Sequence, residues 1–179
     1  MRGMVFTEFL DFVEGATSPD FVENMLDNVA PPSGGAYSAV GNYSHDEILS
    51  MVTYVSEQTG LPVAGLVRQF GERLFERFVE LYPGFFVDQK QALDFLENIE
   101  DHIHTEVRKL YPDARPPVFE TNRNNENELV MHYRSNRPFA DLCAGLIEGA
   151  MKHFGEGASV ERTDNSADGT DSLFTIRTN

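Results

Sequence analysis

Between Phe6 and Tyr111 the apolar residues recur at helical spacing, and the breaks between runs carry the chemistry that starts and stops helices. Ser18-Pro19 offers a side-chain cap followed by proline at the first helical position, which predicts a helix over Pro19–Val29. Residues 30–43 (APPSGGAYSAVGNY) read as a loop. Ser44 and Glu47 have capping-box spacing, and Gly60 can take the left-handed conformation that closes the helix they open. A further helix runs through Phe70, Leu74 and Phe78 to Tyr82-Pro83-Gly84. Asp88 and Gln91 are placed to cap a long helix that passes through His104 and stops at Tyr111-Pro112, where proline cannot continue it.

Beyond Pro112 the period changes. Residues 118–121 and 128–135 alternate as two strands joined by the polar stretch 122–127, and residues 160–163 and 173–177 read as a second hairpin. Between the hairpins, Phe139, Leu142, Cys143, Leu146, Ile147, Ala150 and Phe154 form a helical stripe. The sum is an α+β domain, helical first, then an antiparallel sheet with a long packed helix, and residues 1–179 are read as one domain. Only residues 164–171 (DNSADGTD) are low in complexity, and they read as a turn.

Composition narrows the chemistry. A net charge of −15 repels phosphate backbones and anionic lipid, so nucleic acid and membrane are not expected as partners. The start Met1–Glu8 has no apolar signal core, and no apolar stretch approaches the ~20 residues that a bilayer requires, so a cytoplasmic location is expected. A single cysteine, Cys143, cannot build a four-cysteine zinc or iron–sulfur site and reads as a small core residue. There is no Gly-x-Ser-x-Gly, His-Glu-x-x-His, phosphate loop or Gly-x-Gly-x-x-Gly, and no Glu-x-x-His pair for a di-iron site. An enzyme is therefore not expected.

Two groups of residues remain. If the second strand stays extended, Tyr133, Ser135 and Arg137 share one face and offer two hydroxyls and a guanidinium fork, a set suited to carboxylates. A polar edge on an exposed strand has the same spacing. His102 and His104 lie on one predicted helix, and either imidazole could ligate iron. At about 100° per residue they stand roughly 200° apart, so only one can serve a given metal, and the apolar stripe does not choose between them. The carboxylates around them, Glu97, Glu100, Asp101 and Glu106, read as a solvated helical face.

The order of the pieces carries a resemblance: a histidine-bearing helix, Tyr111-Pro112, Pro116-Pro117-Val118-Phe119, Tyr133-Arg134-Ser135-Asn136-Arg137, then Gly145-Leu146-Ile147-Glu148-Gly149. It resembles the haem-nitric oxide/oxygen binding (H-NOX) family, which includes the haem domain of soluble guanylate cyclase. The resemblance implies the H-NOX fold and a b-type haem. The family's proximal histidine stands thirteen residues before the second proline of the Pro-Pro pair, which implies His104 as iron ligand and leaves His102, His45, His132 and His153 outside the site. It further implies propionate contacts from Tyr133, Ser135 and Arg137, and pressure on the ring from Pro117. Oxygen-binding members place a distal tyrosine nine residues after the motif tyrosine, and here that position is Leu142. Phe9 and Leu74 occupy the supporting distal positions, with Val5, Phe78 and Leu146 as apolar neighbours. The implied function is a sensor of nitric oxide that also takes carbon monoxide and excludes dioxygen. Its output is expected to pass to a histidine kinase, a diguanylate cyclase or a similar signalling protein. An oxygen-binding sensor and a haem-free adaptor are the rival readings.

Overall fold

Four helices, α1 (Gly3–Ala16), α2 (Pro19–Val29), α3 (His45–Thr59) and α4 (Val63–Leu81), occupy the first part of the chain in a computed structural model that describes residues 1–179. The contacts divide the chain into two compact units, residues 1–70 and 71–179, with the boundary inside α4.

In the first unit the cap at Ser18 forms as read, its hydroxyl accepting from the Phe21 amide at 3.2 Å, and Gly60 closes α3 at φ 72°. The capping box at Ser44 does not form. Ser44 Oγ accepts from the Asp46 amide, while the Glu47 carboxylate turns inward and accepts from Ser33 Oγ at 2.5 Å and Tyr37 Oη at 2.8 Å. Glu47 is buried, and a buried carboxylate needs partners more than a helix end needs a cap that the neighbouring residue already supplies. Loop 30–43 thereby gains a fixed path, reinforced by the Tyr37 ring stacked on Phe6 with centroids 4.6 Å apart.

The second unit holds a four-stranded antiparallel sheet in the order β1-β2-β4-β3, with β1 (Val118–Asn125), β2 (Glu128–Arg134), β3 (Ala158–Asp164) and β4 (Asp171–Thr178). Alternation puts Leu129, Met131 and Tyr133 of β2 and Phe174 and Ile176 of β4 on the buried face. There they meet α5 (Ala92–Glu97) and α7 (Ala140–His153), through Leu93 and Leu96 on one and Cys143, Ile147 and Ala150 on the other. Each fully buried side chain of this size contributes about 1.5–3 kcal/mol. Cys143 is the small core residue expected, and burial pushes its thiol up. Helices α4 and α7 cross closely enough to demand glycine. A Cβ on Gly71 would lie 2.5 Å from the Leu142 carbonyl oxygen, and one on Gly149 would lie 2.6 Å from Phe75 Cβ.

The long helix expected from Asp88 to Tyr111 is broken. It begins at Ala92, whose amide is capped by the Glu156 carboxylate at 2.9 Å and not by Asp88 or Gln91. Asn98 ends α5, its side-chain amide donating to the Asp94 carbonyl at 2.8 Å in competition with the helix ladder. A π-helical turn over Ile99–His104 follows, then α6 (Thr105–Leu110). The Thr105 amide and hydroxyl both donate to the Glu100 carbonyl, which stabilises the i→i+5 turn. No helix is long and apolar enough to cross a membrane.

Candidate functional site

His104 is the last residue of the π turn, and its side chain is 14% exposed, whereas His102 on the same turn faces solvent. The structure thus separates two histidines that periodicity left equivalent. Nδ1 of His104 stands 3.0 Å from Glu100 Oε2, and the ring stacks on Phe119 at 5.6 Å and 22°. Burial pushes the imidazole pKa down from its ordinary value, against the opposing pull of Glu100, so the ring favours the neutral form that ligates metals. The Pro117 carbonyl also hydrogen-bonds the ring, which brings the second proline of the Pro-Pro pair against His104.

Glu100 does not belong to a solvated face. Its Oε2 accepts from the Phe119 amide at 3.2 Å as well as facing His104, and its Oε1 accepts from Arg108 at 2.6 Å. These hydrogen bonds hold its pKa below the usual carboxylate range despite partial burial, which acts the other way. Glu97 faces Arg123 at 3.6 Å and Glu106 faces Lys109 at 2.7 Å, as helix-surface carboxylates do, and Asp101 is exposed. The functional reading of the sequence missed Glu100, Arg108 and Phe119. The i, i+4, i+8 spacing of Glu100, His104 and Arg108 was the available signal.

Phe119 leads from His104 to the second group, because it is the register partner of Tyr133 across β1 and β2 and their rings lie 5.8 Å apart. Tyr133 is on the buried face of β2, and burial pushes its phenol up to about 12. The extended conformation does not persist through Arg137. Strand β2 ends at Arg134, where the chain turns, and the Arg137 amide donates to Ser135 Oγ at 3.1 Å. The turn still gathers the trio. Tyr133 Oη donates to the Arg137 carbonyl at 3.3 Å and is hydrogen-bonded with Ser135, while the Arg137 guanidinium donates to the Arg115 carbonyl at 2.9 Å, at the edge of the Pro-Pro segment. His132, on the opposite face of β2, faces Asp171 at 2.8 Å.

Within the second unit, Leu74 is buried and Phe78 half-buried on α4, and Leu142 and Leu146 are half-buried on α7, flanking the Gly71 crossing. In the first unit Val5 is half-buried on α1, and Phe9 is buried with its ring edge-on to Phe70 at 5.2 Å. His45 is adjacent to Asp46, and His153 stands among Phe86 and Phe154.

One half-buried imidazole beside an apolar ring, with two hydroxyls and a guanidinium gathered at the end of one strand, fits a flat apolar ligand that carries iron and carboxylates. The profile of the Haem-NO-binding family matches residues 2–162. The chain belongs to this family, the H-NOX proteins. It is therefore a member of a family of haem-binding gas-sensor domains. An Fe(II) unliganded H-NOX protein from K. algicida is 34% identical, covers 100% of this chain and 97% of its own, and superposes with a TM-score of 0.91. An H-NOX from Shewanella woodyi, solved in the Fe(II)CO ligation state, is 38% identical over 99% of this chain and 94% of its own, with a TM-score of 0.85. An H-NOX protein from S. oneidensis in the Fe(II)NO state is 22% identical over 100% of this chain and 99% of its own, and its TM-score of 0.91 speaks for the fold alone. No curated protein matches.

Proposed function

We propose that this H-NOX chain is a nitric oxide sensor that holds a b-type haem through His104, takes carbon monoxide as well, and excludes dioxygen. The observation that carries the reading is the half-buried imidazole of His104, held at Nδ1 by Glu100, with Tyr133, Ser135 and Arg137 gathered beyond Phe119. When bound, the haem supplies the ferrous iron that takes the diatomic gas. The chain's residues do the rest. His104 offers Nε2 as the iron ligand while Glu100 orients the ring. Tyr133, Ser135 and Arg137 would hold the propionates, and Pro117 would press on the haem.

Selectivity follows from what the distal residues lack. Dioxygen gains polarity at its outer atom and is retained by a hydrogen-bond donor, whereas nitric oxide bonds ferrous iron strongly without one. Leu142, Leu74, Phe78 and Leu146, and Val5 and Phe9 of the first unit, carry no side-chain donor. The same residues provide no distal acid or base, which speaks against peroxidase chemistry. The solved Fe(II)CO state of the S. woodyi relative supports carbon monoxide as a second ligand.

For signalling, two states must differ in a contact that the gas changes. His104 sits where α6 begins, and Glu100 ties its turn to β1 through the Phe119 amide, so a change in the pull on His104 would be passed to β1 through this contact. The partner that reads the shift belongs to the class of histidine kinases, diguanylate cyclases and related signalling proteins.

Absorption spectra of the reduced holoprotein test the reading. Nitric oxide and carbon monoxide are each expected to move the Soret band, and air is expected to leave it unmoved. A stable complex with dioxygen assigns the chain to the oxygen-binding class instead.

A further inference from the structure

The Glu100 carboxylate has an acceptor arrangement that a helix-surface ion pair does not need. One oxygen, Oε2, faces the imidazole of His104 at Nδ1 (3.0 Å) and the Phe119 amide (3.2 Å), and the other, Oε1, takes the Arg108 guanidinium (2.6 Å). The Phe119 amide belongs to the sheet, so the carboxylate is fixed by backbone and does not swing with its own helix. The side chain is 24% exposed, that of His104 14% and that of Arg108 40%, so the charged pair lies where solvent screens it only in part.

We infer that Glu100 and Arg108 form an opposed pair that sets the strength of the bond between His104 and the haem iron, an inference that rests on His104 being the iron ligand. A carboxylate that accepts the Nδ1 proton pushes electron density into the ring and makes Nε2 a stronger donor to iron. Arg108 draws on the other oxygen of the same carboxylate and weakens that push. The two residues therefore act on the His104 bond with opposite signs. Neither touches iron or gas, so both are positioning and tuning residues. On the nitric oxide-sensor reading proposed above, a gas that loosened this bond would switch the chain more or less readily according to the balance between them.

The test uses haem-loaded protein with Glu100→Gln and Arg108→Gln, read by the iron–histidine stretching band in resonance Raman and by the haem reduction potential. Glu100→Gln keeps the size and an acceptor but removes the charge. It is expected to lower the stretching frequency and raise the ferrous-to-ferric ratio at fixed poise by about tenfold, equivalent to about 59 mV for one electron. Arg108→Gln is expected to raise the frequency and lower that ratio, and Glu100→Asp to return part of the wild-type band. A purely structural role for the pair moves both variants the same way, which overturns the inference, as does an unchanged band and potential in both. Arg108 is the more exposed partner, so the sign of its shift decides the matter even where Glu100→Gln does not fold. A wild-type holoprotein without any iron–histidine band overturns the ligand assignment itself and this inference with it, whereas a wild-type band that neither variant moves overturns the inference alone.

Discussion

Replacing His104 with glycine is expected to remove the iron–histidine band and weaken haem retention by on the order of 100-fold, the upper end of what loss of a mere supporting residue costs at a metal site. The ring is the only imidazole in the Glu100–Phe119–Arg108 network, and His102 on the same turn faces solvent. Glycine in a helical turn costs about 1 kcal/mol, so the chain is expected to remain folded. Glu100 keeps its bonds to Arg108 and the Phe119 amide. The missing ring leaves space beside Phe119, and free imidazole is expected to fill it and restore the band. The variant His102→Gly is expected to behave as wild type. Haem retention measured by transfer to an acceptor globin, with and without imidazole, checks the result. A His104→Gly protein that keeps the wild-type band points to another ligand.

The second large effect is on the crossing of α4 and α7. Gly71→Val is expected to cost about 3 kcal/mol and to lower the thermal midpoint by roughly 6–12 °C. A Cβ at position 71 meets three backbone atoms of α7: the Leu142 carbonyl oxygen at 2.5 Å, Gly145 Cα at 2.9 Å and the Leu146 nitrogen at 3.0 Å. Backbone cannot rotate away as a side chain can, so the helices must separate. Both walls of the apolar set move with them, since Leu74 and Phe78 ride on α4 and Leu142 and Leu146 on α7. Thermal unfolding followed by circular dichroism checks the size of the effect. A midpoint within about 1 °C of wild type contradicts the close crossing.

Much of this organisation is legible in the residues themselves. Ser18-Pro19, Gly60 and the alternation of Leu129, Met131 and Tyr133 are local signals whose partners lie a few residues away, and each forms as read. Three misreadings share one cause, a partner remote in sequence. Glu47 looks like half of a capping box until Ser33 and Tyr37 fold over it. Ala92 is capped from beyond α7 by Glu156, which no helix-start pattern reveals. Glu100 looks like one more carboxylate on a charged face because Phe119, whose amide it accepts, is nineteen residues away on a strand. The Tyr133–Arg137 trio was found for a partly wrong reason. Alternation brings only Tyr133 to the buried face, and a turn anchored on Ser135 brings back the rest. Between His102 and His104 periodicity was silent, because the π turn that exposes one and shelters the other leaves no mark in the apolar stripe.

Stoichiometric addition of haemin to the purified chain, followed by reduction and resonance Raman of the ferrous product, bears on the central claim more directly than any variant. The account predicts one strong Soret band that saturates at a single equivalent and a histidine–iron stretch from His104. A chain that leaves haemin unbound, or binds it without that stretch, contradicts it.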